Sequence, residues 1–384
     1  MKRNLTLKLT ILSLSLLVLA PNGASVILPN IAQTFPDIPF TSVILVLTLP
    51  FAVLTVFSFI TSALMNFIPK KTLVIIGIIL YLIGGLGPIF TGSFSVLLFF
   101  RGVLGAGIGV ITPLASGLIP LFFQGQELAS VFGLSSSFMN IGQIYFVFMA
   151  GLLVTLGWNK TFWPFLIAIP ILLLIIFKLP EPSTSAAECQ DKPKIKLTPV
   201  FWLIFLLAIL EGVFHYPILT NTSAFIVGMN LGDSETASTV LTVMLVAGLI
   251  SGFLFSKIFA KLKAMTIPLS SMVMTVGFFT MALADNLAMV YIGACLACLG
   301  LSVNMSLIFV YATAVSNPSS SSFAVAIATT GVYLGGVASS YVMSGLLRML
   351  EKSSDQTVFT ISSAAFFGFT LLSIGCLLIK RKNR

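Results

Sequence analysis

Apolar residues run along this chain in blocks of about twenty, the length a helix needs to cross the hydrocarbon core of a bilayer. Read at that length, the sequence offers twelve blocks: 7–28, 42–65, 72–91, 94–118, 131–156, 161–178, 199–220, 234–255, 265–283, 288–314, 322–347 and 357–379. One polar stretch interrupts the rhythm. Residues 179–198, LPEPSTSAAECQDKPKIKLT, hold three prolines and six charged side chains, so they offer neither a regular helix nor an apolar face to bury. They read as a solvated cytoplasmic linker between residues 1–178 and 199–384. Six blocks on each side predict an all-α membrane protein, with twelve transmembrane helices in two six-helix parallel repeats around a central cavity.

Composition agrees with burial in lipid. Hydrophobic residues make up 58% of the chain and charged residues 8%, against roughly a quarter charged in a soluble domain. The net charge of +9 would suit a nucleic-acid partner if the cations shared one face, but they lie at the ends of the apolar blocks. Their placement orients the chain instead. With the amino terminus inside, sixteen of the twenty lysines and arginines fall in cytoplasmic segments and only Lys160, Arg348 and Lys352 fall outside. The expectation is a multi-pass protein of the bacterial cytoplasmic membrane with both termini cytoplasmic. The first block follows Lys2, Arg3 and Lys8 in the manner of a signal peptide, yet eleven further blocks follow, which favours a retained helix.

Chemistry is sparse. Cys295 and Cys298 have C-x-x-C spacing, but they sit inside an apolar block with no second pair and no basic neighbour to stabilise a thiolate. No disulfide, metal or cofactor is expected. No GxxxxGK[ST] loop is present, so ATP is not expected to supply energy within this chain.

The two halves repeat each other. A shift of 190 residues lays Ser62-x-Leu64-x-x-Phe67-x-x-x-Lys71 on Gly252-x-Leu254-x-x-Lys257-x-x-x-Lys261. A shift of 194 lays Gly142 and Met149-Ala150-Gly151-Leu152-Leu153 on Gly336 and Met343-Ser344-Gly345-Leu346-Leu347. In this the chain resembles the major facilitator superfamily, whose halves are parallel repeats. That family carries G-x-L-x-x-D-R-x-G-R-[RK] between its second and third helices, and here Ser62, Leu64, Pro69, Lys70 and Lys71 occupy the frame. The family's acid and first arginine are not kept, the residues there being Asn66, Phe67 and Ile68. Arg101-Gly-Val-Leu-Gly105-Ala-Gly107-Ile-Gly109 is similar to the family's R-x-x-x-G-x-G in the fourth helix. The fifth-helix motif of drug exporters is kept at Gly142 and Gly151, with Phe146 and Val147 in place of its central Gly-Pro. The resemblance implies gate loops at Ser62, Leu64, Lys70 and Lys71 and, in the second half, at Gly252, Lys257 and Lys261. It also implies a cavity lined by the first, fourth, seventh and tenth helices.

Three strongly ionisable groups lie inside the blocks away from their ends: Arg101, Glu211 and His215. A charge at mid-bilayer costs about 3 kcal/mol or more on insertion scales, so such groups face water or a partner. Glu211 and His215 are four residues apart and share a helix face. The expectation is that Glu211 carries a proton while Arg101 and His215 tune it or hold an anionic substrate, with Arg101 facing Glu211 across the cavity; a packing role for Arg101 is the competing reading. The amides of Asn22, Asn140, Gln143 and Asn304 add substrate contacts or bind helices together.

These features predict a secondary transporter of a small organic solute, a monomer in the lipid bilayer that exports with proton coupling. Import or exchange of an organic anion is the alternative. A membrane-embedded enzyme would need a metal cluster, paired acids or an activated nucleophile, and a sensor would need an output domain. The sequence offers none of these.

Overall fold

With no water in the hydrocarbon core, backbone N–H and C=O groups have to be satisfied within each span, which is why the apolar blocks coil into helices. The structure is a computed structural model that describes residues 2–65, 67–123, 125–181, 199–314, 321–351 and 354–382. It is all-helical over the described residues and divides into two compact units, Met1–Lys192 and Pro193–Arg384. Residues 182–198, most of the expected linker, lie outside the described residues.

In the first unit, α1 is Lys2–Ser15 continued by a 3₁₀ segment Ala20–Val26 and by Leu28–Thr34. α2 comprises Phe40–Val43 and Leu45–Leu64, and α3 is Lys70–Leu86 with a 3₁₀ turn Gly87–Phe90. α4 is Phe94–Gly117 and α5 is Gly125–Val154. α6 begins as a ten-residue 3₁₀ helix, Trp158–Ile167, and continues as Ala168–Lys178. In the second unit, α7 comprises Pro199–His215, Pro217–Thr220 and Thr222–Gly228. α8 is Ser234–Leu262, α9 is Thr266–Ala282, α10 is Leu287–Ala314, α11 is Ser321–Met349 and α12 is Asp355–Lys382.

The packing repeats with the sequence. α3 lies on α4 and α6, α4 on α2, and α5 on the 3₁₀ segment of α1; α9 lies on α10 and α12, α10 on α8, and α11 on α7. Each pair in one unit is the counterpart, six helices on, of a pair in the other. Glycine sets several of these seams, as expected where lipid gives no hydrophobic drive and backbones must approach. A Cβ at Gly84 of α3 would lie 2.1 Å from the Leu104 nitrogen of α4, and one at Gly142 of α5 would lie 2.1 Å from the Leu16 oxygen.

Three expected spans are corrected. The first is not one straight helix over 7–28: Pro21 lacks an N–H, the bonds of Leu16, Leu17 and Val18 shift to the carbonyls three residues back, and the axis bends by 43°. The seventh does not stop at 220 but breaks at Tyr216 and Asn221 and runs on to Gly228. The eighth continues to Leu262, so Gly252, Lys257 and Lys261 are helical residues and not a loop. Favourable helix formers prolong it, with Lys261 near the negative end of the helix dipole, until Lys263 turns to a positive φ of 48°.

Candidate functional site

In the first unit the organising group is Arg101, fully buried in α4. Pro50 has no N–H to offer the carbonyl four residues earlier, that of Val46. Arg101 supplies the missing donor: its Nε donates to the Val46 oxygen at 2.6 Å, and its Nη2 donates to the Pro21 oxygen at 3.2 Å. The guanidinium lies over the Phe162 ring, 5.8 Å from its centroid. One turn on, a Cβ at Gly105 would meet the Pro50 oxygen at 2.5 Å, while one at Gly107 would meet the Tyr81 nitrogen of α3 at 2.5 Å. The R-x-x-x-G-x-G pattern is thus a docking face, on which the arginine mends α2 and α1 and the glycines admit α2 and α3.

The expected amides of this unit collect along the seam of α1 and α5. Asn22 is buried in the 3₁₀ segment with no hydrogen-bond partner for its Oδ1 among the described residues, and Gln143 is buried beside Gly142. Asn140, one turn before, is half-buried. At the far end, Lys71 Nζ donates to the Ile176 oxygen at 2.8 Å, fastening the start of α3 to the last turn of α6. Lys70 begins α3 and Leu64 ends α2, whereas the side chain of Ser62 and all of Asn66 lie outside the described residues.

In the second unit Glu211 and Asn304 do come together. Glu211 is 6% exposed on α7, and Asn304 Nδ2 on α10 donates to its Oε1 at 3.5 Å. The same amide lies 3.5 Å from Ser271 Oγ and 3.3 Å from Met274 Sδ, while Ser270 Oγ donates to Asn304 Oδ1. Ser270 Oγ also lies 2.8 Å from the Thr266 oxygen and 3.0 Å from the Ile267 oxygen of its own helix, so its one proton has three acceptors in reach, and α9 meets the amide at both of its ends. These serines had no signal in the sequence, because α9 is not among the helices the resemblance assigns to a cavity.

His215 closes the same segment of α7. It is 6% exposed, its ring centroid lies 6.1 Å from that of Tyr216, and its Nδ1 is buried without a hydrogen-bond partner among the described residues. Beyond it the helix breaks at Pro217, and Ser339 Oγ of α11 donates to the Val213 oxygen at 2.6 Å. Among the described residues no group of three or more His, Cys, Asp or Glu is placed to hold a metal ion. Cys295 and Cys298 are free thiols.

Paired six-helix units with matching internal packing narrow the choice of family, and the sequence profile of the Major Facilitator Superfamily matches residues 10–340. The chain belongs to the Major Facilitator Superfamily. Relatives within reach of sequence are distant. A probable sugar efflux transporter of Haemophilus influenzae is 25% identical over 246 residues, 62% of each chain. The probable transporter AQR1 of Saccharomyces cerevisiae is 28% identical over 139 residues, 35% of this chain and 24% of that one. The chain therefore spans less than two thirds of either relative. A crystal structure of the nucleoside transporter NupG shares the fold, with a TM-score of 0.78 at 11% identity over 96% of this chain and 99% of that one. Family and relatives alike indicate a transporter and not an enzyme.

Proposed function

We propose that this member of the superfamily is a proton-coupled exporter of a small organic solute, working by alternating access, with Glu211 as the group that takes up and releases the proton. One observation carries the reading. Glu211 is a carboxyl group buried in a membrane span, and its one hydrogen-bond partner among the described residues is the neutral amide of Asn304. A carboxylate held that way has no counter-charge, and leaving it uncompensated in a span costs about 2.5–3.5 kcal/mol on insertion scales. A proton removes the charge, and so does a cationic group on a solute, so one site serves two exchangeable occupants. Asn304 gives the carboxyl a hydrogen bond but no charge, so the neutralising group has to come from the proton or the solute.

Arg101 enters this reading as the group that holds α2 and α1 in shape rather than as a substrate anchor, since its donors are given to backbone carbonyls. Asn22 remains as a solute contact, since a buried amide oxygen with no partner among the described residues is an acceptor kept for something else, and Gln143, buried on the same seam, stays beside it as an expected contact. The export direction follows the name of the sugar efflux relative. The protein would act as a monomer in the cytoplasmic membrane with both termini inside.

The test is transport by the purified full-length protein in proteoliposomes, across a panel of sugars and organic amines, with and without an imposed pH gradient. Glu211→Gln keeps the size and loses the titration. Gradient-driven accumulation should disappear in that variant while counterflow exchange of the same solute persists. Undiminished coupling to the gradient removes Glu211 from the mechanism.

A further inference from the structure

Prolines well inside helical spans leave a fixed signature, a carbonyl four residues earlier with no helical donor. In three places among the described residues a side chain from a neighbouring helix fills that vacancy. Arg101 of α4 serves the Val46 oxygen opposite Pro50, and Ser58 of α2 serves the Gly109 oxygen, at 3.3 Å, opposite Pro113 of α4. The third case lies in the other unit and involves the break in α7. Tyr216 still donates to the Gly212 oxygen at 3.1 Å, so the helix is intact up to that residue. Pro217 follows and cannot donate to Val213. Ser339 Oγ does so at 2.6 Å.

We propose that Ser339 is a positioning residue of the Glu211 site: its hydroxyl stands in for the N–H that Pro217 lacks, and so fixes the direction in which α7 enters its break, within two turns of Glu211. Serine reaches only one bond beyond its Cβ, so the bond requires the two backbones to be nearly in contact. They are. A Cβ on Gly212 would lie 2.2 Å from the Val332 oxygen and one on Gly335 2.0 Å from the Ile209 oxygen, while one on Gly336 would meet the Tyr216 ring at 2.4 Å. Ser339 itself is 1% exposed, which keeps water from replacing it on the carbonyl. The three glycines and the serine form one device, in which the glycines bring α11 up to the kink and the hydroxyl mends it. Glu211 and His215 ride on the last two turns before that kink, and their aim follows from its geometry. This last consequence rests on the proposed role of Glu211; the capping of Val213 does not.

The experiment is a double-variant cycle on the full-length protein, read by melting temperature in detergent and by gradient-driven transport in proteoliposomes. Ser339→Ala should lower the melting temperature by about 2–4 °C and reduce transport, and Ser339→Thr, which keeps the hydroxyl, should recover both. Pro217→Ala restores a backbone donor to Val213, so in that background Ser339→Ala should cost less than half as much. If Ser339→Ala alone proves too unstable to purify, recovery of the double variant supports the proposal equally. Equal losses in the two backgrounds overturn the capping. Coupled losses in melting with transport rate and apparent affinity unchanged in Ser339→Ala overturn the positioning role. Neither outcome touches the reading of Glu211 as proton carrier, which stands or falls on Glu211→Gln.

Discussion

Replacing Arg101 with methionine keeps the apolar stem of the side chain out to the position of Nε and removes the guanidinium with its donors. Two carbonyls then lose their partners, Val46 at 2.6 Å and Pro21 at 3.2 Å. A buried carbonyl left unsatisfied costs about 1–3 kcal/mol, which gives a gross loss of about 2–6 kcal/mol. Against this, a guanidinium no longer has to be held out of water, and replacing buried charge by apolar volume commonly returns about 1–4 kcal/mol. Taking the middle of each range, about 4 against about 2.5, the net expectation is a loss of about 1–2 kcal/mol. At about 2–4 °C per kcal/mol for a unit of this size, the purified protein should melt roughly 2–8 °C lower, as read by intrinsic fluorescence in detergent. Arg101→Lys keeps the charge but has one donor centre for two carbonyls, and should fall between. The decisive comparison uses Pro50→Ala, which gives Val46 a backbone donor of its own. Arg101→Met should then cost about half as much. An undiminished loss in that background would refute the account of this arginine as a mender of α2.

Two further expectations concern the helix seams and the orientation in the membrane. Gly84→Ala should destabilise by about 1–3 kcal/mol or more, since its Cβ would lie 2.1 Å from the Leu104 nitrogen and 2.7 Å from the Phe100 oxygen. Gly102→Ala, with no atom within 4 Å of the new Cβ, should be neutral or stabilise by up to about 1 kcal/mol, and equal melting of the two variants would show that the α3–α4 approach is not as close as described. A cysteine replacing Lys261, exposed in the last turn of α8, should react with an impermeant maleimide only from the cytoplasmic side, and one replacing exposed Asn286 before α10 only from outside; the reverse pattern would invert the topology.

The spans and their number were legible because apolarity over twenty residues is a property of composition, and the matching of the two halves was legible at Gly142 and Gly336 because a close helix approach admits few other residues. The ionisable residues in the spans were legible too, since any charge there needs a reason. What that reason is was not. Arg101 answers to Val46 and Pro21, and a carbonyl has no letter of its own in a sequence. Ser270 and Ser339 are ordinary small residues until the geometry places one on Asn304 and the other on Val213. The breaks in α1 and α7 were missed because a count of apolar residues carries no information on hydrogen-bond register, although Pro21 and Pro217 were in plain view. The resemblance implies a loop at Lys257 and Lys261, whereas a helix continues past the membrane face for as long as its residues favour it.

The opening of α6 has a different kind of consequence. Its ten residues from Trp158 to Ile167 wind three to a turn, so that Trp163 and Leu166 face outward while Thr161, Phe162, Pro164 and Phe165 face the unit's interior. At about 2.0 Å per residue they advance about 20 Å, where an α-helix would advance about 15 Å. The same residues thus reach about 5 Å further along the helix axis than an α-helix would, a gain in span length from pitch and not from residues. A single deletion within this stretch would withdraw about 2 Å of reach and rotate everything on one side of it by about 120°, carrying Phe162 and Phe165 away from the interior and toward lipid.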